Sequence, residues 1–215
     1  MSIVTAPAGI CNLAFDLLRQ KEQVVSLDTP DSELEGLASR WYDVTRRAIL
    51  GAYSWNFARK RIALTLNGTS PAFGYGNAYN LPNNYLALLF IGDNYNYNYE
   101  KDYAVEGAQI LIDNDDGATL NIAYIYDMTD IAKFDPLFTE LLIAELAIRF
   151  ANSITGLNKG MKSIIEWKKG LEIKARAKNG HDNPPKRREV SKIIAKRRLA
   201  SSGGTSDGVH LFSQS

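Results

Sequence analysis

Residues 51–66 read GAYSWNFARKRIALTL, a stretch that begins with helical spacing and ends with strand alternation. Ile62, Leu64 and Leu66 alternate with Arg61, Ala63 and Thr65, a period of two. Trp55 and Phe57 sit where the period changes, followed by three consecutive cations, Arg59, Lys60 and Arg61. Each of the two aromatics can bury on the order of 200 Å². Their placement predicts a hydrophobic stitch where a helix hands the chain to a β insertion. The cations face solvent or a neighbour, because charged side chains are rarely buried.

Upstream, Ile10, Leu13, Ala14, Leu17 and Leu18 form the stripe of a first amphipathic helix. The following SLDTPDSE offers Thr29 as N-cap and Pro30 at the first helical position, with Asp31 and Glu33 complementing the helix dipole. A second helix then runs to about Tyr53, with Leu34, Leu37, Ala38, Trp41, Thr45, Ala48, Ile49 and Ala52 on its apolar face. Downstream, residues 58–127 read as about six short antiparallel strands in a small sandwich or open barrel. Leu120, Ile122, Tyr124 and Tyr126 share one face of the last strand. Asn67-Gly68 reads as a hairpin turn, although Asn67-Gly68-Thr69 also matches a glycosylation sequon.

Helical spacing returns at Asp135-Pro136, an N-cap and N1 pair. Leu137, Leu141, Ala144, Ile148 and Ala151 line one side, and Phe138, Leu142, Leu146 and Phe150 the next. So wide an apolar surface predicts a central helix. After TGLNKG, a fourth, more basic helix carries Leu157, Met161, Ile164, Trp167, Leu171 and Ala175 to about Lys178. The predicted fold is α+β: a four-helix bundle (1–55 and 135–180) with a small antiparallel β domain (56–134) inserted between helices two and three. An extended basic tail (181–215) follows, to be ordered on a partner.

The 215 residues, 45% hydrophobic and 23% charged, have the usage of a soluble globular chain. No signal peptide or apolar run of about 18 residues is present, which predicts a protein that is cytosolic when made and has no membrane span. A single cysteine, Cys11, excludes an internal disulfide framework and a CxxC metal knuckle. The formal net charge of +1 conceals an asymmetry: residues 183–215 carry seven Lys or Arg against Glu189 and Asp207, a net of +5, which leaves −4 on residues 1–182.

Candidate chemistry is sparse. The two histidines, His181 and His210, lie in the C-terminal region, far from any carboxylate that the predicted fold positions, which argues against a triad. Cys11 on an amphipathic helix reads as packing. FGYGN and GLNKGMKS miss the spacing of phosphate loops, and DNDDGATLN lacks the closing Glu of a calcium loop. Glu140 and Glu145 could serve as a hydrolase's acid pair, but Glu145 has Arg149 at i+4 and reads as an ion pair. No catalytic residue, cofactor or metal is expected. Tyr95, Tyr97 and Tyr99, alternating with Asn, suggest a β-domain protein interface more than a base-stacking row, since no cation is interleaved. In the tail, Val190, Ile193 and Ile194 lie between the basic pairs Arg187-Arg188 and Arg197-Arg198, and Leu211 and Phe212 form a terminal apolar hook. Such a segment orders on a partner, protein or nucleic acid. A phosphate-binding role would give a log–log salt slope of about −6 at most.

The helix order, the WNF of Trp55, Asn56 and Phe57, the LPNNYL of Leu81–Leu86 and the LLIAELAIRFA of Leu141–Ala151 together resemble the tail tubular protein A family. These are head-to-tail adaptors of short-tailed bacteriophages. The resemblance covers about residues 5–178. It implies a structural virion protein at the head–tail junction, a connector ring of twelve copies between the portal protein and a tail nozzle protein of the tubular protein B type. The ring lines the channel for DNA ejection, and the family brings no cofactor. An acidic body suits a wall that must not hold phosphates. The long basic tail departs from the family's pattern, leaving the portal, a neighbouring subunit, or DNA in a nucleic-acid-binding accessory protein as its target.

Overall fold

In the computed structural model, which describes residues 6–92, 102–113, 119–154 and 159–182, six strands lie between two pairs of helices. The helices are α1 (Pro7–Leu17), α2 (Glu33–Ala52), α3 (Pro136–Ile154) and α4 (Lys159–Asp182). The strands are β1 (Arg59–Thr65), β2 (Asn77–Asn80), β3 (Tyr85–Ile91), β4 (Tyr103–Glu106), β5 (Gln109–Ile112) and β6 (Thr119–Tyr126).

The predicted α+β content and the position of the strands between the second and third helices are observed, but the four-helix bundle is not. Its helices would need comparable lengths to wall a common core, and α1 has 11 residues against 24 in α4. At 1.5 Å per residue, α1 is only about 16 Å long. The described helices instead gather on α3, which packs against α1, α2 and α4, while α2 also packs against β3 and β6. A sheet therefore supplies one wall of the helical core. Ala58, Ile125, Met128 and Ile131 are buried in the same cluster as Phe15, Leu50, Phe138 and Phe150. The wide apolar surface of α3 explains its central place: Phe138, Leu141, Leu142, Ala144, Leu146, Ala147 and Phe150 are all buried.

Several helix faces are rotated from their sequence expectation. α1 buries Ile10, Cys11, Ala14 and Phe15, with Phe15 stacked on Phe150, while Leu13 and Leu17 are exposed. α2 buries Tyr42, Arg46 and Leu50 in addition to Leu37, Ala38, Thr45 and Ile49, leaving Ala48 and Ala52 outside. On α4 the buried stripe is Met161, Leu171 and Ala175, and Trp167 points outward. The start of α2 also moves. Ser32, rather than Thr29, caps it by accepting a hydrogen bond from the Glu35 amide at 3.3 Å. Ser32 and Glu35 have the S-x-x-E spacing of a capping box, and the Glu35 carboxylate accepts most closely from the loop amides of Asp31 and Val25.

The strands form two three-stranded antiparallel sheets, ordered β1-β6-β3 and β2-β5-β4, linked by a bridge between Leu66 and Tyr79. β6 is central and two-sided. Leu120, Ile122 and Tyr124 enter the core between the sheets with Leu64, Tyr79, Ile91, Ile110 and Ile112. Ile125 faces the helices. The Asn67-Gly68 hairpin turn is not formed: a type I′ turn needs positive φ at both central residues, and neither has it. The chain makes a longer loop from Asn67 to Gly76 before β2 begins.

Candidate functional site

The exit of α2 and the start of α3 meet in a knot of aromatic rings. Trp55, 2% exposed, packs edge-on against Phe138, with ring centroids 5.1 Å apart. Phe57 lies between Phe138, at 5.1 Å, and Phe134, at 5.9 Å, and Tyr53 meets Trp55 at 5.7 Å. The buried indole Nε1 donates to the Ile49 carbonyl at 3.0 Å, so its polar atom is satisfied as burial requires. This is the stitch predicted from residues 51–66, and it joins three segments: the end of α2, the start of β1 and the first turn of α3. The cations beyond it lie along ring faces. Lys60 stands over Tyr126 at 6.0 Å and Arg61 over Phe90 at 5.3 Å, both on the exposed surface.

LPNNYL makes a second joint, between the two sheets. The Leu81 amide donates to the Ala108 carbonyl at 2.8 Å, beside β5, and the Asp127 amide donates to the Asn84 carbonyl at 2.8 Å, beyond β6. The Tyr124 hydroxyl donates from the inter-sheet core to Asn84 Oδ1 at 3.1 Å.

Charged side chains act as struts at the same junctions. The buried Arg46 guanidinium donates to the Met128 carbonyl at 2.6 Å, and to the carboxylates of Asp127 and Asp43. It ties α2 to the segment leaving β6. Glu35 is a buried carboxylate that accepts from the amides of Asp31 at 2.7 Å, Val25 at 2.9 Å and Ser26 at 3.4 Å. Those amides, that of Asp31 first, hold its carboxyl below the ordinary glutamate range. Burial pushes the Cys11 thiol up to about 12, consistent with a packing role. Glu145 pairs with Arg149 at 3.2 Å, as the spacing predicts, and also with Lys168 Nζ at 2.8 Å, while Glu140 is exposed. Both Glu145 oxygens are thus engaged by cations across α3 and α4. Lys178, near the C-terminal end of α4, pairs with Asp135, whose other oxygen accepts from the Leu137 amide at the start of α3.

Arg46, Glu35 and Lys168 were not singled out from sequence. Ser32-x-x-Glu35 was a visible signal for one of them; an arginine or lysine on an apolar helix stripe gives no comparable one. The predicted interface residues Tyr95, Tyr97 and Tyr99 lie outside the described residues. So do the tail residues Arg187, Arg188, Val190, Ile193, Ile194, Arg197, Arg198, Leu211 and Phe212. Among the described residues no group of three or more His, Cys, Asp or Glu side chains could hold a metal ion. No described helix is long and apolar enough to cross a membrane. A cavity of about 430 Å³ lies between the 67–76 loop and the β4–β5 hairpin, lined by Phe73, Tyr75, Glu106, Gln109 and Leu111 among others.

Neither protein-family models nor curated protein sequences give a match to the chain.

Proposed function

We propose that the chain is a structural virion protein, a head-to-tail adaptor that forms a ring between a portal and a tail nozzle and lines the DNA exit channel. The observation that carries this reading is the aromatic knot of Trp55, Phe57, Phe134 and Phe138, reinforced by the Arg46–Asp127 strut. A ring segment bearing load must hold its β part at a fixed angle to its helical part. A joint made of packed rings and a buried ion pair resists bending because neither relaxes without exposing apolar area or an unpaired charge. In this reading the basic tail reaches the portal or a neighbouring copy, with Val190, Ile193, Ile194, Leu211 and Phe212 as apolar anchors. Arg187, Arg188, Arg197 and Arg198 supply its charge, and Tyr95, Tyr97 and Tyr99 contribute a β-domain contact.

Light scattering on the purified chain, combined with negative-stain imaging, tests this function. Closed rings of about twelve copies are expected from the resemblance. A monomer at every concentration would contradict the ring. A specific observation, the +5 tail, favours one competing reading, a nucleic-acid-binding accessory protein. That reading expects binding to free DNA that falls with salt at a log–log slope of up to about −6.

A further inference from the structure

Charge is segregated along this chain more sharply than its total suggests. Between residues 62 and 132 nine acidic side chains accompany a single cation, Lys101, a net of −8. Asp102, Glu106 and Asp113 are exposed on or beside the β4–β5 hairpin, and the half-exposed apolar residues Tyr103 and Val105 lie in the same strand. No ion pair among the described residues engages Asp102 or Glu106.

α4 presents the opposite arrangement. At 100° per residue, Ile173, Glu166, Ala177 and Gly170 form the centre of its outward arc, with Lys162 and Lys169 on one flank and Lys174 and Trp167 on the other, so that three lysines surround one exposed carboxylate. Ile173 is 70% exposed and Trp167 39%. A Cβ built on Gly170 would meet nothing within 4 Å, so the centre of the arc is an open dent. The inward cations of this helix are already engaged: Lys168 by Glu145 and Glu172, Lys178 by Asp135, and Arg176 over the Tyr53 ring. Lys162, Lys169 and Lys174 are in no ion pair of the described fold.

We propose that the net-basic face of α4, with Ile173 and Trp167 exposed on it, docks in one copy on the acidic β4–β5 surface of a second copy. The proposal rests on the ring reading and deepens it by naming the two faces that meet. A two-fold contact centred on either face alone would set lysines against lysines or carboxylates against carboxylates, which costs free energy. The unlike pairing brings opposite charges together, and where the two faces of one copy engage two different copies, as the ring reading requires, it is heterologous and propagates until it closes. Tyr103 and Val105 on one side and Trp167 and Ile173 on the other supply the apolar centre that exposed ion pairs alone cannot replace.

The test uses the full-length chain in two blocked forms. One carries Lys162→Glu, Lys169→Glu and Lys174→Glu; the other carries Asp102→Lys and Glu106→Lys. All five side chains are exposed, and circular dichroism melting checks that each form is folded. In sedimentation velocity each form alone is expected to lose self-association by about tenfold or more, from several reversed pairs at 0.2–1 kcal/mol each. Mixed together, they are expected to recover association into alternating assemblies, because the two intact faces still pair unlike charges and the two reversed faces, an acidic α4 against a basic β4–β5 surface, pair them as well. Ring assembly undiminished in both blocked forms would overturn the face assignment while leaving the ring reading intact. A monomeric unmodified chain at every concentration would overturn both. The unmodified chain provides an independent check: its association is expected to weaken between low and high salt, and salt-independent association would count against the charged faces.

Discussion

The Trp55 indole packs edge-on against the Phe138 ring, with centroids 5.1 Å and planes 83° apart, across the point where the helical core meets the β-strands. Phe138 is fully buried and also touches Phe57 and Phe134. Phe138→Ala should therefore cost about 3–5 kcal/mol, the range for removing a buried aromatic ring. Phe57, only partly buried, should cost less, about 2 kcal/mol. Urea unfolding gives both values, and an unchanged midpoint for Phe138→Ala would contradict the knot.

Glu35 makes the stability of the α1–α2 connection depend on pH. Its folded carboxyl lies below the ordinary 4.5 because loop amides stabilise the ionised form. Stability from this group is therefore fully present above pH 4.5 and lost as pH falls through the lower folded value. Glu35→Gln should melt below the unmodified chain at pH 7, and the gap should narrow as pH drops below 4.5. A gap that stays constant down to pH 3 would show that the carboxylate's charge contributes nothing.

Much of this architecture was legible in the sequence, but unevenly. The period change at residues 55–62 identified the junction, and the alternation of Leu120, Ile122 and Tyr124 identified the inner face of β6. Bundle geometry was not legible. Four amphipathic stripes say that four helices bury a face, and not against what; Leu50 and Phe138 share a core with Ile125 of the sheet. Helix faces slipped for a related reason. Cys11, Phe15 and Arg46 are buried, while Leu13 and Trp167 are half-exposed, because neighbours and salt partners decide among adjacent stripes of similar hydrophobicity. The Asn67-Gly68 signal was overridden by a longer loop that donates the Gly76 amide to Asp113 at 2.6 Å.

Arg46 is buried with its charge met by Asp127 and Asp43. Asp127→Ala should destabilise by about 2–3 kcal/mol, below the full 3–5 kcal/mol for breaking a buried pair, because the Asp127 side chain is 21% exposed and Asp43 remains. The double change Arg46→Met with Asp127→Ala should recover part of that loss, since no unpaired buried cation remains. A double variant less stable than the sum of the two single effects would contradict this account of the strut.

Cys11 is fully buried, with its thiol raised to about 12 from 9.0. At pH 8 the folded chain should react with a disulfide-exchange reagent on the order of a thousandfold more slowly than the chain in denaturant. Labelling at similar rates in both states would place Cys11 on an accessible surface and undo the packing of α1.

The most direct test of the adaptor reading is negative-stain imaging of the complex that a tagged copy retrieves from phage-infected cells, without nuclease and at moderate salt. Rings seated between heads and tails are predicted, and they should persist when salt is raised enough to strip free DNA. Recovery of the chain only with DNA, lost at higher salt and with no ring in the images, would contradict the adaptor and make the basic tail the functional site.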